Sequence, residues 1–205
     1  MSLGSLLKKY DKGNGGGWFS LKDDGDSATV RLCHKGEDGK EPDGEPRYDF
    51  PVYEVHKLDV DGSGRTRTCL CKGEDCEFCK SGDKAQLRVF LTLLNLDEPD
   101  ESKRVQLWER GITDIKNLLG LAEEYGDLTK RDMKIKRSGA KGSMKTTYQF
   151  LPKDPSEREV PEPQQVLGSL ILDLNREDQI KAIEGRYVTD KGEDNGAGAG
   201  ATKVF

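Results

Sequence analysis

The apolar residues of this chain arrive in bursts that are short and mostly alternating, which limits the fold more than any other feature. The longest, Leu87 to Leu96, begins Leu-Arg-Val-Phe-Leu-Thr-Leu-Leu and predicts a central, buried strand. Shorter bursts predict further strands at Trp18–Leu21, Ala28–Leu32, Phe50–His56, Val105–Trp108, Met133–Arg137 and Thr146–Phe150. Turn signals such as Asp23-Asp24-Gly25-Asp26 and Asp61-Gly62-Ser63-Gly64 punctuate them, and Lys35–Pro46 reads as a polar loop. Ile112, Ile115, Leu118, Leu119 and Ala122 recur at helical spacing, so a helix is expected over 112–125, closed by Gly126. Short strands of this kind, with one helix before the last two, fit a mainly β chain, an OB-type Greek-key barrel managed by partial closure.

Composition explains why that core carries appendages. Hydrophobic residues are 33% and charged residues 35% of 205, with 24 glycines, so the apolar share available for packing is small. A flexible N-terminal arm is expected over 1–17, where Leu3, Leu6, Leu7 and Tyr10 precede the break at Gly13–Gly17. The main domain is expected over 18–152. A linker marked by Pro155, Pro161 and Pro163, with one short element, follows over 153–185. A disordered Gly/Ala-rich tail over 186–205 finishes at Phe205. No run approaches 18 apolar residues and the start lacks a basic-then-apolar leader, so neither a membrane nor a secreted chain is expected, and the compartment is read as cytoplasmic.

Five cysteines, an odd number without a leader, make a disulfide framework a poor explanation. Cys76-Glu77-Phe78-Cys79 has the spacing that lets two thiolates converge on one tetrahedral ion. The order His56–x12–Cys69–x6–Cys76–x2–Cys79 completes a Zn²⁺ site of three thiolates and one imidazole, with the insert spanning about 56–82. Cys71, two residues beyond Cys69, is an alternative ligand that could replace His56, although a bystander role is favoured. Cys33 beside His34 reads as a core cysteine. The ion is expected to be structural. A nucleoside-deaminase site needs His-x-Glu and Pro-Cys-x-x-Cys, whereas Lys57-Leu58 follow His56 and Asp75 precedes Cys76. Four protein ligands also leave no open position for water. No Walker loop, GxSxG elbow or HExxH occurs, so no enzyme is expected.

The net charge of −5 hides a local +6 over residues 130–145, where Lys130, Arg131, Lys134, Lys136, Arg137, Lys141 and Lys145 oppose Asp132 alone. Concentrated cations suit a phosphate backbone, and interleaved aromatics suit unpaired bases. Candidate contacts are Arg47, Tyr48, Tyr53, Arg65, Arg67, Lys72, Trp108, Arg110 and Tyr148 together with that basic stretch. Trp18, Phe19, Phe90 and Phe150 are assigned to the core.

Several strings resemble the single-stranded DNA-binding proteins of tailed bacteriophages that join an OB fold to a zinc-binding insert. They are Trp18-Phe19-Ser20-Leu21-Lys22-Asp23-Asp24-Gly25-Asp26, the His–Cys–Cys–Cys order, Trp108-Glu109-Arg110-Gly111, Lys145-Thr146-Thr147-Tyr148, and Leu170-Ile171-Leu172-Asp173 followed by Glu177-Asp178. The resemblance covers most of residues 18–185. It implies sequence-independent, cooperative coating of single-stranded DNA during phage DNA replication and recombination in the host cytoplasm, with self-association along the strand and the zinc insert bracing one wall of the cleft. It also implies docking of replication and recombination proteins on the C-terminal tail, with Phe205 as the terminal docking residue. The competing readings are a zinc-ribbon module that binds a protein and a thiol-based redox or regulatory protein.

Overall fold

The computed structural model describes residues 17–143 and 145–187. Of the expected arm and tail it describes Gly17, Arg186 and Tyr187. The rest of both, Phe205 included, lies outside the described residues.

Ten strands and three α-helices follow one another among those residues. They are β1 (Ser27–Leu32), β2 (Glu37–Lys40), β3 (Pro46–Tyr48), β4 (Val52–Leu58), β5 (Arg67–Leu70), α1 (Glu77–Lys80), β6 (Gln86–Asn95), β7 (Val105–Arg110), α2 (Ile112–Tyr125), β8 (Arg131–Ser138), β9 (Thr147–Pro155), β10 (Ile171–Leu172) and α3 (Arg176–Ile183). Eight strands form one mixed sheet along the path β10-β5-β4-β6-β1-β8-β9, with β7 also on β6. Every pairing in it is antiparallel except β10 with β5.

The apolar run expected to be central is central. One flank of β6 is shared, with β4 at Gln86 to Val89 and β1 at Leu93 to Asn95, while β7 takes the opposite flank. The pairings leave the sheet open, with no ladder joining β9 back to β7. Side chains bridge that gap instead: the Trp108 ring on β7 lies 5.1 Å from Tyr148 and 5.8 Å from Phe150 on β9. Phe19 meets the same indole edge-on at 5.3 Å. Around them Val30, Leu32, Leu91, Leu93, Met133 and Ile135 are buried, and α2 lays Ile115, Leu118 and Ala122 onto this core. Gly36 passes so close that a Cβ there would come within 2.8 Å of Ala122 Cβ, at a φ of +98° that favours glycine. No helix among the described residues is long and apolar enough to cross a membrane.

Several sequence expectations change. Lys35–Pro46, read as a loop, contains β2, which pairs with β3 in a separate ribbon. Every residue of β2 is exposed, so no alternation marks it. Trp18–Leu21 makes one parallel bridge, Trp18 to Leu107, rather than a strand. Trp18 is 40% exposed instead of core, because its neighbour Phe19 takes the inward position. β9 runs on through Pro152 to Pro155, and the sheet tolerates both prolines because β9 is an edge strand. The segment after it is anchored rather than trailing. Fully buried Arg31 donates from Nε to Asp132 at 2.7 Å and from Nη1 to the Ser156 carbonyl at 2.9 Å, and Gln164 N–H donates to Thr92 Oγ1 at 2.8 Å.

Candidate metal centre and basic cleft

β4 carries His56, the chain just past β5 carries Cys71, and Cys76 and Cys79, at the start of α1 and within it, complete the group. His56 Nε2 lies 3.4 Å from Cys76 Sγ and 3.5 Å from Cys79 Sγ, and Cys79 Sγ lies 3.6 Å from Cys71 Sγ. All four ligand atoms fall within 4.8 Å of one another. A tetrahedral ion with ligands at roughly 2.0–2.3 Å sets neighbouring donors roughly 3.3–3.8 Å apart, so the group fits such an ion. A disulfide would need sulfurs at about 2.05 Å, and all five cysteines are free. The cluster can therefore hold a metal ion.

His56 is oriented for that task. Its Nδ1–H donates to Asp83 Oδ2 at 2.6 Å, which fixes the tautomer and leaves Nε2 facing the thiols. Burial opposes ionisation of Cys76, but the backbone N–H groups of Lys72, Cys79 and Phe78 and the Cys71 thiol bring it down to about 7. Desolvation, then hydrogen bonds with Cys71 and Cys76, push Cys79 up to about 12. A divalent cation held there would favour the thiolate form of the cysteines.

The geometry departs from the spacing-based set in one member. Cys71 stands in the cluster where the spacing puts Cys69, and His56 is a member beside it rather than replaced by it. Cys69 is held in the ladder opposite His56 and fully buried among Val60, Phe78, Leu174 and Ala182. Its thiol is pushed up to about 11 by burial and then by neighbouring Cys76. Cys71 lies just past the end of β5, its N–H on the Glu54 carbonyl, where the chain is turning toward Cys79. Sequence reasoning also missed Asp83, four residues beyond the knuckle, since no ligand spacing marks an outer-shell carboxylate. The expected linker element belongs to this module too. Ile171 and Leu172 pair with Thr68 and Cys69, the Gln179 side-chain oxygen accepts the Glu77 N–H at 2.9 Å, and Arg176 pairs with Glu77.

A cleft of about 770 Å³ opens on the other side of β6, walled by Gln86–Arg88, the corner from Arg110 into α2, and residues 145–148 leading into β9. The Arg110 guanidinium lies 4.1 Å above the Tyr148 ring and donates to Asp114 at 2.8 Å. Arg88 and Lys145 add two cations, and Ile112 at 55% and Leu87 at 37% exposure add bare apolar surface. Arg88, Leu87 and Ile112 were absent from the sequence-based set, where Leu87 had been read as part of a buried strand.

The other expected contacts scatter. Trp108, expected to stack on bases, is 4% exposed and closes the core. Arg137, expected on phosphate, is buried, with donors on the carbonyls of Leu21 and Ala140 and on Thr146 Oγ1. Alternation decides this: Met133, Ile135 and Arg137 point inward, so Lys134 and Lys136 point outward. Arg131 stacks on Tyr125 at 4.5 Å. Tyr48 stacks on Phe50, Arg47 pairs with Asp38 in the ribbon, and Tyr53 packs toward Phe90. Lys72 pairs with Asp173 in the metal module, Arg67 is half-buried on β5, and Arg65 is exposed just before it. Lys130, Lys134, Lys136, Lys141 and Lys145 are exposed, with no ion-pair partner among the described residues.

No family model, no curated protein and no solved structure matches this chain.

Proposed function

We propose that this chain binds single-stranded DNA without regard to base sequence, through the cleft between β6, α2 and β9, and that Zn²⁺ is the ion of the His56–Cys71–Cys76–Cys79 centre. The observation that carries the reading is the make-up of the cleft. It sets Arg88, paired with Glu109 at 3.5 Å, Arg110, paired with Asp114, and Lys145 around exposed Leu87 and Ile112, with Asp114 the one carboxylate in its lining among the described residues. Cations suit a phosphate backbone, and bare apolar surface suits the faces of unpaired bases, which every base offers alike. Arg110 covers one face of Tyr148, so the pair acts as a cationic platform rather than an open ring. Net charge does not oppose this, because binding responds to local potential.

Three thiolates and one imidazole match the preferences of Zn²⁺, and four protein ligands give it a scaffolding rather than a catalytic role. Gln86–Arg88 begin three residues after Asp83, so the centre braces that wall of the cleft. The open sheet, bridged by Trp108 against Tyr148 and Phe150, is read as an OB-type barrel left partly open. Roles in phage replication and recombination, cooperative coating, and partner proteins at the tail follow from the resemblance of the sequence strings to phage single-stranded DNA-binding proteins.

Fluorescence anisotropy with labelled oligodeoxythymidylate, at several salt concentrations, tests the reading. Binding should weaken as salt rises. Lys145→Gln with Arg88→Gln should lower the slope of log affinity against log salt by about 1.4, since each phosphate that a cation no longer neutralises removes about 0.7. Absence of binding at low salt by metal-loaded protein would discard the cleft as a DNA site.

A further inference from the structure

The cleft does not end at Tyr148. A second groove of about 580 Å³ shares Asn117 and Tyr148 with it and continues between α2 and the outer edge of β9, past Lys116 to Gln149 and Leu151. Among the described residues β9 has no strand partner on that edge, and Leu151 is 46% exposed at its lip. The sheet register then fixes what lies beyond the lip. Leu151 is the cross-strand neighbour of Lys134, and Gln149 of Lys136. Both lysines are exposed on the outward face, and neither has an ion-pair partner among the described residues. By contrast, surface cations of the metal module are neutralised: Lys72 by Asp173, Lys80 by Glu77, Lys181 by Asp178. Lys116 and Glu124, both on α2, line this second groove.

We propose that a bound single strand leaves the cleft along α2, crosses the edge of β9 and lays its phosphates on Lys134 and Lys136, so the footprint continues onto the outward face of the sheet. This rests on the cleft reading above and assigns the two lysines that alternation turns away from the cleft. Apolar Leu151 meets a base at the crossing, and Gln149 supplies a neutral donor and acceptor between the two cationic sites. The first part of the track thus holds a short strand, and the outward lysines act when the strand is long enough to reach them.

The test compares oligodeoxythymidylates of roughly 4 and roughly 16 nucleotides, spanning the usual site sizes of single-strand-binding modules, on the metal-loaded chain. Lys134→Gln with Lys136→Gln, both exposed and remote from the core, should leave the short oligonucleotide unchanged. For the long one the salt slope should fall by about 1.4, with a several-fold loss of affinity. Equal behaviour of variant and parent on both lengths would overturn the track and leave the cleft standing. Equal weakening on both lengths would also overturn it, since the lysines would then act as diffuse charge. Absence of binding by the parent protein at either length would overturn cleft and track together.

Discussion

Two regions of this molecule bury themselves by different means. Around Trp108, sixteen buried apolar residues among those described, drawn mainly from β1, β6, β8 and α2, pack with the flanking segments. Around Cys69, a cluster of six is built from Val60, Cys69, Cys76, Phe78, Leu174 and Ala182, two of them thiols. The second region draws on β5, a one-turn helix, a two-residue strand and α3, elements too short to hold shape by propensity. In the proposed reading its order rests on an ion held by the four converging side chains, on the Asp83 brace and on the C-terminal segment packed against it. A small apolar cluster can be completed by a metal where a large one needs none.

Removing the proposed ion should therefore separate the two regions. With a strong chelator, or in Cys76→Ser, amide exchange protection should vanish over β5, α1, β10 and α3. It should persist over β1, β6 and β8. Binding of an ion by such ligand sets is worth about 10–16 kcal/mol in small zinc peptides, which makes this the largest effect expected. Protection lost everywhere, or nowhere, would break the comparison.

A milder perturbation sharpens it. Asp83→Asn keeps a partner for His56 but removes the carboxylate that fixes its tautomer. Metal affinity should fall about 10–100-fold, read by competition with a chelating dye, while the stability of the larger core stays unchanged. Unaltered affinity would reduce Asp83 to a surface neighbour.

The smallest effect concerns the larger core and its one fully enclosed imidazole. His34 Nε2 accepts the Thr92 N–H at 3.0 Å, and burial holds its pKa below the usual 6.5, with Asp49 opposing the shift. The neutral form is the one that fits. Its contribution to stability is complete above 6.5 and is lost as pH falls through the lowered folded value. Exchange of β6 amides, which reports on this core apart from the ligands, should accelerate on acidification across that window, and His34→Gln should flatten the response. A pH-independent rate in the parent would contradict it.

Much of the larger region was legible because burial on one side of a strand or helix writes a period into the sequence. Ala28–Leu32, Leu87–Leu96 and the 112–125 helix all stand close to where alternation or helical spacing put them. The ribbon at β2 and β3 was not legible, since a strand exposed on both faces leaves no period. Of the site residues, Cys76 and Cys79 were fixed by local spacing, because a ligand pair three residues apart closes on itself. Arg110, Lys145 and Tyr148 were named from composition but joined Arg88 and Ile112 only when β6, β7 and β9 came together.

The sequence by itself determined that the chain is mainly β, that its longest apolar run is central, and that a CxxC knuckle shares an ion-sized site with His56. These are statements about neighbours in the chain, and local chemistry suffices for them. Only the tertiary structure decided that Cys71 rather than Cys69 completes the cluster, that Trp108 is core, and that the lysines of one basic strand face outward while Arg137 turns in. Each of those depends on which side of a sheet a residue occupies and on what packs there, and that is set by partners dozens of residues away.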